Sequence, residues 1–134
     1  MLLAGGHVLD VGTGERVRRD LAITGGHVVD ADGGADQIRV DVDGPTVMFG
    51  LWDVPAHPRG LMYDPPAAGY FERTSQHSVR AGANLVQAAT MGITGVRTAA
   101  EADGIDMAWR DAFAAGRWPG PRVMCSDGAH GASS

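Results

Sequence analysis

Through the first 44 residues, apolar and polar positions alternate in short runs separated by glycines. Leu2-Leu3-Ala4, Gly5-Gly6 and His7-Val8-Leu9-Asp10 are followed twenty residues later by Leu21-Ala22-Ile23-Thr24, Gly25-Gly26 and His27-Val28-Val29-Asp30. A period of two marks half-buried strands, and glycine pairs supply the positive φ that tight hairpins require. The echo therefore predicts two successive hairpins of one small sheet, because two copies are too few for a solenoid. Ile38-Arg39-Val40-Asp41-Val42-Asp43 carries the same alternation and predicts a further half-exposed strand.

After Gly44-Pro45 the pattern changes. Thr46 to Val54 is apolar on both faces, as expected of a strand buried in a parallel sheet. A proline-rich loop is expected from Pro55 to Gly69. A helix is expected from about Gly69 to Met91, with Val79, Ala83, Val86 and Thr90 as its apolar stripe and Gly92 as its C′ residue. Ile93–Thr98 reads as a strand, Asp103–Ala115 as a helix stopped by Gly116, and Arg122–Ser126 as a third strand. Residues 127–134 read as a glycine-rich loop. The order strand, helix, strand, helix, strand implies an α/β fold with parallel pairing and right-handed crossovers.

At 134 residues and 44% apolar content the chain can support one real core. No apolar run reaches the ~18–20 residues of a membrane span, and no leader pattern opens the chain. The single Cys125 excludes an intrachain disulfide framework and favours a cytoplasmic location. All 11 basic residues are arginine. The lack of lysine excludes Schiff-base and P-loop chemistry within the chain, and a net charge of −5 argues against a nucleic-acid partner.

Several local signatures occur in one order. Gly5-Gly6-His7-Val8-Leu9-Asp10 and Val47-Met48-Phe49-Gly50-Leu51-Trp52-Asp53 are followed by Gly92-Ile93-Thr94-Gly95-Val96-Arg97, Pro119-Gly120-Pro121-Arg122-Val123 and Gly128-Ala129-His130-Gly131. The ordered set resembles the amino-terminal third of a metal-dependent amidohydrolase of the imidazolonepropionase-like and prolidase-like group. The resemblance implies a small β-sheet over residues 1–45, part of a β-sandwich, and a partial (β/α) barrel segment over residues 46–134. It also implies hydrolysis by metal-bound hydroxide, with two histidines of a Pro-Gly-Leu-x-Asp-x-His-x-His pattern on the metal and further ligands from later strands.

This chain departs from that pattern at Phe49-Gly50-Leu51-Trp52-Asp53-Val54-Pro55-Ala56-His57. Pro55 stands where the first metal histidine would be, and Phe49 where the proline would be. His57 alone matches a metal ligand, and one ligand falls short of the three that a catalytic zinc ordinarily needs. No cofactor is therefore expected for the isolated chain, and zinc or a similar divalent metal only if other strands complete the site. The alternative for His57 is an idle loop histidine. Asp53 is weighed between acid–base work and hydrogen bonding to loop amides, and His130 between a substrate-side role and a frayed loop.

Other residues take simpler readings. His7 and His27 read as strand-edge residues, His77 as solvated at a helix start, and Cys125 as a small core residue. Arg97 with Glu101 or Asp103 reads as a local ion pair capping the second helix. Trp52, Trp109 and Trp118 read as core or interface anchors.

Three barrel strands of eight cannot close, so bare strand edges and uncovered apolar faces are expected. That points to a homo-oligomer or a complementing chain, with a small-molecule ligand possible and neither nucleic acid nor membrane as partner. Three functional readings remain open. The chain is an amidohydrolase relative that is not a competent metallohydrolase on its own and serves in binding, structure or a partner-completed site. Or it is a metal-independent enzyme of isomerase or cyclase type, using His57, Asp53 and His130 in general acid–base catalysis. Or it is a fragment of a metal-dependent hydrolase of amide, ester or cyclic C–N bonds.

Overall fold

A computed structural model describes residues 1–29, 31, 38–60, 72–99 and 101–126. The chain divides into two compact units, Met1–Phe49 and Gly50–Ser134.

The first unit is all β. It contains β1 (Leu2–Ala4), β2 (His7–Leu9), β3 (Arg16–Arg18), β4 (Leu21–Thr24), β5 (His27–Val29), β6 (Arg39–Asp41) and β7 (Thr46–Val47). These form two sheets, in the orders β5-β4-β1-β6 and β3-β2-β7. The expected pair of equivalent hairpins is only half correct. Gly25 and Gly26 lie at φ +58° and +80° and join β4 to β5 with Thr24 opposite His27, a two-residue hairpin of the kind that needs positive φ at both positions. At the first glycine pair only Gly5 has positive φ. A Cβ on Gly6 would lie 2.9 Å from a Val42 methyl, so this step carries the chain from one sheet into the other. β1 then pairs with β4 and β6, while β2 pairs with β3 and β7. Ala4, Leu21 and Ala22 are the buried apolar residues here.

The second unit contains β8 (Leu51–Ala56), α1 (Thr74–Thr90), β9 (Ile93–Thr98), α2 (Ile105–Ala114) and β10 (Arg122–Cys125), with a 3-10 turn at Ala102–Gly104. The sheet order is β10-β9-β8 and both pairings are parallel, as the alternation of elements implies. The continuous strand expected over Thr46–Val54 is instead two strands. Thr46 and Val47 pair with β2 in the first unit, and β8 begins at Leu51. Nor is β8 buried on both faces, since Leu51, Trp52 and Val54 are each about half exposed. No described strand pairs with its outer edge, so this apolar run lacks the neighbour that its pattern anticipates. The register shifts between Asp53 and Ala56, where Pro55 offers no N–H to the ladder.

Ala56, Leu85, Val96 and Val123 form the core, with Ile93, Trp109, Phe113 and Cys125 packed around it. α1 turns a different stripe inward from the one expected. Its buried residues are Ala81, Gly82 and Leu85, while Val79 is 71% exposed and Ala83 is exposed. The reason is steric. A Cβ on Gly82 would lie 1.9 Å from Cζ2 of Trp109, so the inward face is the one small enough to admit that indole. The Trp109 Nε1–H donates to Ser78 O at 2.9 Å and fixes the ring there. Helix ends follow expectation, with Gly92 and Gly116 just beyond the last turns of α1 and α2.

Val96, Thr98 and Val123 face the helices, so their strand neighbours Gly95, Arg97, Arg122 and Met124 lie on the opposite face. The Trp52 ring lies against Gly95, where a Cβ would meet it at 2.3 Å. Trp52 and Met124 are 48% and 51% exposed and Arg97 and Arg122 are exposed beside them, so this second sheet face is open.

Candidate functional site

In parallel α/β sheets the carboxyl ends of the strands are where loops from several strands converge. Here that end gathers His57 after β8, Glu101 after β9 and the first turns of both helices. The chain leaving β8 turns at once, with Gly60 N–H donating to His57 O at 2.7 Å. The turn is anchored to α1, whose Asn84 Nδ2 donates to Pro58 O at 2.7 Å and whose Arg80 Nη1 lies 3.5 Å from Arg59 O. Arg80 also donates to Glu72, and His77 Nε2 lies 3.3 Å from the other oxygen of that carboxylate. The Arg80 guanidinium holds the Glu72 carboxyl below its ordinary range.

Glu101 is the least expected member. Its side chain is 2% exposed, its Oε2 lies 3.1 Å from Arg59 Nε, and its Oε1 lies 4.0 Å from His57 Nδ1. Arg59 is not aligned to donate, and Oε2 has no hydrogen bond. Burial raises the carboxyl above its ordinary value, with Asp106 adding to the rise and Arg59 opposing it. The expected partnership of Arg97 with this acidic segment is not formed. Arg97 lies on the open sheet face, and Arg59 takes Glu101 instead. His77 is likewise not solvated, since its side chain is 12% exposed and faces Glu72.

Beneath this end, Thr98 and Asp106 are both buried, and the Thr98 hydroxyl donates to Asp106 Oδ2 at 2.6 Å. Asp106 Oδ1 accepts from Met107 N–H at 2.9 Å in the first turn of α2. Burial pushes the Cys125 thiol up, and the neighbouring Asp106 reinforces the effect, consistent with an inert packed cysteine.

Of the residues singled out in the sequence, His57 stands in this cluster with its side chain 61% exposed. Asp53 is exposed on β8, and no hydrogen bond or ion pair joins it to His57 or to loop amides among the described residues. His130 lies outside the described residues. Glu101 and Arg59 were not singled out for chemistry. The signal available for them was position alone, a carboxylate and a guanidinium each just past a parallel strand.

A catalytic metal does not fit the described residues. Pro55 has no donor, His57 and Glu101 supply two, the Arg59 cation occupies the space beside Glu101, and no group of three donors exists among the described residues. Elsewhere, grooves of about 260 and 340 Å³ on the first unit are lined by Val28 with Arg19 and Asp20, and by Val17 with Asp10, Glu15 and Arg19.

No protein-family model matches the sequence, and no curated protein matches it. Solved structures do. An uncharacterised protein is 26% identical with a TM-score of 0.78, the match covering 94% of this chain and 31% of that one. An amidohydrolase is 23% identical with a TM-score of 0.79, covering 93% and 30%. The fold is that of the amino-terminal third of an amidohydrolase. A Xaa-Pro dipeptidase is similar to the same extent, at 20% identity and a TM-score of 0.79 over 95% of this chain and 33% of that one. The chain thus spans about a third of the length of the solved structures it matches. In this amidohydrolase-like setting β8, β9 and β10 are the parallel strands, and His57 and Glu101 follow the first two of them.

Proposed function

We propose that this amidohydrolase-related chain is not a competent metallohydrolase on its own and that it works in a site completed by further strands. A second copy, a complementing polypeptide or further length of the same chain would each supply such strands. The observation that carries this reading is the open sheet face, with Trp52 and Met124 half exposed beside a cluster that holds two metal donors, rather than three, among the described residues. A completed site would take a small-molecule ligand at the His57 end. Nucleic acid is disfavoured by the net charge of −5, and no described helix is long and apolar enough to cross a membrane. The lone Cys125 favours a cytoplasmic setting.

The test is zinc titration of the metal-stripped chain by calorimetry, followed by dialysis and elemental analysis. The expected result is no stoichiometric metal. One tightly held zinc per chain would overturn the reading.

One observation favours a second reading, a metal-independent enzyme of isomerase or cyclase type. His57 faces a buried carboxylate, which is the material of general acid–base catalysis. Turnover of a candidate substrate that survives chelation and is lost in His57→Ala would select it.

A further inference from the structure

Glu101 has the burial of a core residue and the chemistry of a site residue. It sits between the carboxyl end of β9 and the 3-10 turn, its side chain 2% exposed and its Oε2 without a hydrogen bond. A buried carboxylate left partly unsatisfied is expensive unless a neighbouring group compensates it. The described groups that act on it are Arg59, His57, His77 and Asp106. Arg59 supplies charge at 3.1 Å without alignment, and Asp106 is already engaged by Thr98 and Met107. His57 is the neighbour still able to adjust. Its ring is 61% exposed, and its backbone is held by the Asn84-anchored turn. Nδ1 lies 4.0 Å from Oε1, so a small rotation of that exposed ring brings Nδ1–H into hydrogen-bond range.

We infer that Glu101 is a positioning residue for His57: it selects the tautomer protonated on Nδ1 and leaves the Nε2 lone pair for the site. In a histidine, the partner of one ring nitrogen decides which nitrogen is free to act. Arg59, 3.1 Å from Oε2, opposes the rise that burial imposes on the carboxyl, and the carboxylate oxygen facing the ring is an acceptor for Nδ1–H. The assignment goes beyond the proposal of a completed site and does not depend on it. A bare Nε2 is a lone pair able to accept a proton or a hydrogen bond from a ligand.

The experiment is long-range 1H–15N correlation on the 15N-labelled full chain at a pH where histidines are neutral, with exposed His27 as internal reference. Wild-type His57 is expected to show the Nδ1–H pattern and a bare Nε2, unlike His27. In Glu101→Ala the expected result is loss of that pattern, with His57 coming to match His27. A wild-type His57 already in the Nε2–H form overturns the inference, and this reading requires no variant to fold. An unchanged Nδ1–H pattern in a folded Glu101→Ala protein overturns it as well. Neither result bears on whether zinc binds stoichiometrically, so the two proposals fail separately.

Discussion

Gly82→Ala adds one methyl group at the tightest helix–helix contact in the second unit. The new Cβ would sit 1.9 Å from Trp109 Cζ2, 2.4 Å from Cη2 and 2.5 Å from Cε2. Comfortable carbon–carbon contact is about 3.5–4.0 Å, so the indole must retreat by more than about 1.5 Å or the helices must part. Retreat breaks the bond from Trp109 Nε1 to Ser78 O, which contributes about 1 kcal/mol, and disturbs the tilted Trp109–Phe113 pair. Overpacking of a filled core costs a further ~1–3 kcal/mol. Against this stands the helix propensity of alanine over glycine, worth ~1 kcal/mol. The net expectation is a loss of about 1–3 kcal/mol, or at least about 4 °C in Tm for a unit of this size. Urea and thermal unfolding, followed by circular dichroism and tryptophan fluorescence, measure it. In a Trp109→Leu background the same glycine change should become neutral or stabilising, because only propensity remains. A Gly82→Ala protein as stable as wild type, or one that loses as much with Trp109 removed, would refute a clash with the indole.

Three further outcomes follow from the titratable and buried groups. Thr98→Val keeps the side-chain shape but leaves buried Asp106 without its hydroxyl donor, so urea unfolding should show a loss of about 1–3 kcal/mol. Burial raises the Glu101 carboxyl above its ordinary 4.5, so the folded state holds a proton there that the unfolded state releases. The stability of that neutral form is present below this window and is lost as pH rises through it. Glu101→Gln should therefore gain on wild type as pH climbs above 4.5, and a gap that stays flat from acid to neutral pH contradicts the raised value. Cys125, pushed up by burial and by Asp106, should react with iodoacetamide at mildly alkaline pH more slowly in the folded chain than in urea. Equal rates would contradict the packed, protonated thiol.

Much of the second unit was legible in the sequence because its elements are local patterns. The alternation of strand and helix, the span Ile93–Thr98 and the stops at Gly92 and Gly116 follow from periodicity and capping. The α1 stripe misled because apolar residue type favoured Val79 and Val86, while the packing is decided by absent volume at Ala81 and Gly82. The duplicated glycine pair misled for a related reason. Identical words fold differently when Val42 crowds Gly6 and nothing crowds Gly26. Within the site, His57 was legible from its motif position. Glu101 and Arg59 were not, since their pairing joins residues 42 apart and depends on how two loops fall after two strands. Periodicity carries no information about such a meeting.

In the proposed working protein, strands beyond those described cover the open face of the β8–β9–β10 sheet. Sedimentation velocity on the purified chain, paired with amide-resolved NMR, tests it most directly. The expected result is an associated species, with slowed amide exchange along β8 and β10 that is lost on dilution. A monodisperse monomer with sharp, dispersed amide signals throughout would contradict it.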